Sequence, residues 1–67
     1  MWRCALTEPP PVGDIWGTLS DDVPVTLDDG TESVGYFDHV RREWSAVNAH
    51  GEWTTPMDVA MWYDDNN

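Results

Sequence analysis

Val23, Val25 and Leu27 alternate with Pro24, Thr26 and Asp28, the two-residue period of a strand with one buried face. Asp29-Gly30 follows directly, and this pair suits a type I′ turn, in which both central residues take positive φ. A two-residue turn there sets Val25 opposite Val34 and Val23 opposite Tyr36, so that the apolar positions share one face. The pattern predicts a hairpin over 23–38 as the centre of the fold.

Beyond it, Arg42 to Asn48 reads as a third strand, with Trp44 and Ala46 on one face and Glu43, Ser45 and Val47 on the other. Asn48-Ala49-His50-Gly51 is a turn by composition, and Glu52-Trp53-Thr54 opens a return strand. Residues 56–63 carry two patterns. Thr55 before Pro56 resembles a helix start with proline in the first turn, whereas Met57, Val59 and Met61 alternate as in a strand. The β-branched and aromatic content favours the strand.

Upstream, Asp14 is a candidate N-cap and Ile15, Trp16 and Leu19 lie near helical spacing, but Gly17 limits 14–20 to a short helix or a turn. Residues 1–13, with Pro9, Pro10 and Pro11, read as an extended arm, and 64–67 as a polar frayed end. The expected fold is mainly β: one domain over 1–67, built on a small antiparallel sheet of three to four strands.

Length narrows what can hold such a sheet together. A chain of 67 residues buries only about 60% of the surface its unfolded form exposes, so it needs an additional staple. Cys4 has no partner for a disulfide, and Cys4, His39 and His50 show no zinc-ligand spacing, so no metal or cofactor is expected. A lone thiol and the absence of an apolar signal-peptide core point to a cytoplasmic setting. Aromatic mass is the expected staple: five tryptophans with Tyr36, Tyr63 and Phe37 exceed what a small core can hold, which implies an aromatic surface patch.

Charge changes the functional picture most. Thirteen acidic residues face three arginines and no lysine, for a formal net charge of −10. Nucleic acid and anionic membranes are poor partners for such a surface, while basic proteins are favoured ones. No phosphate loop, HExxH, GxSxG or calcium-loop spacing occurs, and a Glu43–Glu52 carboxylate pair across strands three and four is what thirteen acids give by chance, so catalysis is not expected. The doublet Arg41-Arg42 is read as paired with Glu43 or neighbouring acids.

Trp2, Leu6 and Pro9, then Val23–Leu27, Gly30, Val34–Asp38 (VGYFD), Trp44, and Val59 with Trp62 give the chain a landmark pattern. In these positions it resembles a small domain-of-unknown-function family found in phages and prophages. Residues 10–22 are longer than in that pattern, and Met61 stands where the family usually has histidine. The resemblance implies a small antiparallel β fold of mobile-element origin and no chemistry. With the charge, it leads to the expectation of a phage-type inhibitor of a host defence protein, an anti-CRISPR or similar. Asp21, Asp22, Asp28, Asp29, Glu32 and Asp38 would mimic phosphates, with Trp16 and Trp53 as apolar anchors. The alternative is a structural β module that self-associates, as a homodimer for instance, and is acidic for solubility alone.

Overall fold

The computed structural model describes residues 1–65; Asn66 and Asn67, at the end of the stretch read as frayed, lie outside the described residues. Among the described residues six strands form one antiparallel sheet: β1 (Trp2–Cys4), β2 (Val23–Leu27), β3 (Glu32–Asp38), β4 (Glu43–Val47), β5 (Trp53–Thr54) and β6 (Val59–Tyr63), in the order β1-β6-β2-β3-β4-β5. The sheet therefore exceeds the expected three to four strands. β1 and β5 are too short to show a two-residue period, so the alternation that revealed β2 could not reveal them.

The sheet rolls up. Trp53 and Thr54 pair with Val47 and Ala46, and the Met57 amide donates to the Trp44 carbonyl. Four residues after Thr54 the same stretch leaves β4 and joins β2, where the Asp28 amide donates to the Asp58 carbonyl and Leu27 pairs with Val59. One continuous segment thus bonds to both flanks of the β2–β3–β4 meander and closes it into a small barrel. β1 lies on the far side of β6, with Trp2 opposite Tyr63 and Cys4 opposite Met61.

The hairpin exists, but its register differs from the expected one. Val23 faces Gly35, Pro24 faces Val34 and Val25 faces Ser33. The loop has three residues, Asp28, Asp29 and Gly30, with the Gly30 amide donating to the Leu27 carbonyl and the Leu27 amide to that of Thr31. Gly30 alone takes positive φ, at 89°. A type I turn closed by one left-handed glycine has replaced the type I′ turn, which would have forced Asp29 into the left-handed region as well. The added residue turns Val34 and Tyr36 to the outer face and leaves Gly35 and Phe37 inside.

Inside, Val25, Leu27, Phe37, Trp44, Ala46, Val59 and Trp62 meet with Ala5. Phe37 and Trp44 pack edge-on with centroids 5.5 Å apart. Val59 and Trp62 are three apart, yet both point inward, because Ala60 is an extra residue between the Leu27–Val59 and Thr26–Met61 pairs. Both buried indoles have their N–H satisfied by the loop after β1: Trp44 Nε1 donates to the Ala5 carbonyl (3.3 Å) and Trp62 Nε1 to that of Glu8 (2.6 Å). Arg3 adds a 2.6 Å bond from Nε to Asp64. The start of the chain, read as an arm, thus contributes a strand and two indole acceptors.

A candidate interaction surface

Two of the three most exposed large apolar side chains sit on one loop, the third being Leu6 at 82% after β1. Ile15 is 91% and Trp16 77% exposed, at the tip of a turn between Val12 and Ser20, which bridge each other. No helix forms over 14–20. Instead Asp14 gathers the loop around its carboxylate: the Thr18 amide donates to Oδ1 (2.8 Å), the Thr18 hydroxyl to Oδ2 (2.5 Å) and the Leu19 amide to Oδ2 (3.2 Å). These bonds, the Thr18 hydroxyl first, hold the Asp14 carboxyl below its ordinary value. Gly17 has a φ of 73°, a conformation that ends a helical turn at once. The Gly13 amide donates to the Leu19 carbonyl, sealing the loop's base.

That base is tied into the barrel. Ser20 exchanges two bonds with Phe37, its amide donating to the Phe37 carbonyl and its Oγ accepting from the Phe37 amide. The His39 amide donates to Thr18, and His39 Nε2 lies 2.7 Å from the Pro10 carbonyl oxygen. Residues 18–20 therefore continue β2's pairing along β3, displaced by the two residues Asp21 and Asp22. Two large apolar side chains are held in water on a rigid mount.

The six acids expected to form one array fall into two groups. Asp21 and Asp22 occupy the break before β2, and the Asp21 carboxylate crowds Gly13 at the base of the exposed loop. Asp28, Asp29 and Glu32 stand at the other end of the hairpin, about 20 Å away at roughly 3.3 Å per strand residue. Asp38 belongs to neither as a free charge: its Oδ1 accepts from the Val40 and Arg41 amides and shapes the β3–β4 connection. Asp29 likewise accepts from the Thr31 amide (2.9 Å), which lowers its carboxyl's affinity for a proton. A single phosphate-like row along the hairpin is not what these positions form, because the loops at its two ends hold most of them.

Trp53, 51% exposed, lies far from Trp16 in the sheet, on the outer face of β5. There it meets Tyr36, with centroids 5.5 Å apart. On the outer face Pro24 pairs with Val34 and Val47 with Trp53, and these two pairs lie one residue beyond Gly35–Ala46, where the β3–β4 pairing ends. Neither these pairs nor the exposure of Ile15 shows in the hydrophobic period: by spacing Ile15 is one position of a helical face, although Asp14 with Thr18 four residues on signals a side-chain-capped turn.

The remaining candidates do not converge. Glu43 pairs with Asp38 at one end of β4, and Glu52 follows the turn at its other end, so the expected carboxylate pair does not form. Arg42, with a φ of 60°, sets its guanidinium 5.6 Å from the Phe37 ring centre, and neither Arg41 nor Arg42 forms an ion pair among the described residues. No group of three metal-ligating side chains occurs among the described residues, and no helix there is long and apolar enough to cross a membrane. Comparison with family models, with curated proteins and with solved structures returns no match.

Proposed function

We propose that this chain is a non-catalytic interaction protein that docks on a basic, nucleic-acid-binding surface of another protein, as a phage-type inhibitor of a host defence system would. The observation that carries this reading is the braced loop with Ile15 and Trp16 at its tip and Asp21 at its base, on a chain of net charge −10. A rigid aromatic residue loses little entropy when it enters a pocket, and surrounding carboxylates steer it to a cationic rim. The sequence resemblance to phage and prophage domains supplies the anti-defence setting, with an anti-CRISPR role as its concrete form.

The test is capture of partners from a bacterial lysate by the wild-type chain and by Trp16→Ala, each at low and at high salt. A basic nucleic-acid-binding protein recovered by the wild type at low salt, and lost both with Trp16→Ala and with salt, is the expected result. Equal recovery by both chains, or recovery that salt leaves unchanged, would sink the reading.

The outer pairs Pro24–Val34 and Val47–Trp53 favour a second reading, self-association through the sheet face. Salt separates the two. Two copies of net charge −10 repel, so salt should strengthen a dimer and weaken a complex with a basic partner. Sedimentation at two salt concentrations reads the sign.

A further inference from the structure

Where the chain crosses from β4 to β2, the barrel wall leaves an open hollow of about 230 Å³. Trp44, Pro56, Met57 and Val59 give it an apolar lining, and Asp28, Glu43 and Asp58 also line it. We infer that this hollow receives one cationic side chain with an aliphatic stem, arginine or lysine, from a partner protein.

Size sets the first limit. Sites for drug-sized ligands run from about 300 to 1,000 Å³, so this one suits a single long side chain. Chemistry sets the second. An aliphatic stem needs an apolar wall, and a guanidinium or ammonium head needs carboxylates within reach. All three carboxylates lack an ion pair among the described residues, where the ion pairs are Arg3 with Glu8 and with Asp64. The one cation lining the hollow, Arg42, keeps its guanidinium against Phe37. An anionic side chain would face net repulsion, and a neutral polar one would gain no charge-assisted bond to the carboxylates.

The hollow is formed by residues other than those of the 14–19 loop, so this assignment stands apart from docking through Trp16. Acetyl-arginine amide titrated against the full chain, followed by the Met57 and Val59 methyl resonances, tests it. Saturable shifts at those methyls are expected, with none from the neutral analogue acetyl-citrulline amide. Asp58→Asn combined with Glu43→Gln should weaken binding at least fivefold, and Asp28→Asn, on an exposed loop, provides a second variant should the first disturb folding. Trp16→Ala should leave the titration unchanged. Shifts of equal size with citrulline, unweakened binding by both carboxamide variants, or arginine shifts confined to residues 21–22 and 64–65 would overturn the assignment.

Discussion

Gly35 sets how closely β3 and β4 approach. A β-carbon there would stand 2.6 Å from the Ser45 carbonyl oxygen and 3.1 Å from the Ala46 β-carbon, and backbone cannot yield as a side-chain tip can. Gly35→Ala should therefore destabilise the fold by about 1–3 kcal/mol, the usual range for overpacking, seen as a lower urea midpoint at unchanged slope. Cys4 is legible in another way. Its exposed thiol is drawn below its ordinary pKa, first by the Thr7 side chain and then by the Leu6 and Thr7 backbone. Thr7→Val should slow the modification of Cys4 by iodoacetamide at pH 7, as timed mass spectrometry would show. In the sequence Cys4 is only an unpaired thiol, because the turn that brings Thr7 back to it follows a strand too short to recognise.

Among the elements, β2, β3 and β4 are readable because each is long enough to alternate and each runs directly into a turn. Their register is not, since Asp-Gly serves both a two-residue loop and the last two positions of a three-residue loop. The difference of one residue moved Val34 and Tyr36 outward and created the aromatic face with Trp53. β6 was readable as a strand but not in its faces, because the bulge at Ala60 breaks the alternation that Met57, Val59 and Met61 suggest. The 14–19 loop has its own pH dependence. Asp14 has its folded pKa held below the ordinary 3.8, so its ionised form supports the loop above that value. Support is lost as pH falls from about there through the lower folded value. The protection factor of the Thr18 amide should fall over that acid range while that of the Leu27 amide, bonded to the Thr31 carbonyl at the far end of the hairpin, stays constant. Asp14→Asn should show fast Thr18 exchange already at neutral pH.

For the whole molecule, the balance of charge matters more than any pair. Of the three arginines, Arg3 alone enters ion pairs among the described residues, so most of the thirteen acids repel one another without local relief. Raising sodium chloride from about 10 to 300 mM shortens the screening length from roughly 30 to under 10 Å and should raise the melting temperature, opposite to the trend of a fold held by surface ion pairs. Thermal melts at the two concentrations check the sign. Composition made this acidity plain, but not its division between two ends of a hairpin, which depends on which carboxylates the loops recruit as hydrogen-bond acceptors.

The segment that bonds first to β4 and then to β2 also bears on the order of assembly. The β2–β3–β4 meander joins near neighbours in the chain and can form early, at small loop-closure cost. β1, by contrast, has nothing to pair with until β6 arrives from the other end, since Trp2 lies against Tyr63. Such distant pairing belongs to chains that mature in milliseconds or longer, and it leaves a nascent chain with both hydrophobic rims of its ribbon open until the last strand has been synthesised.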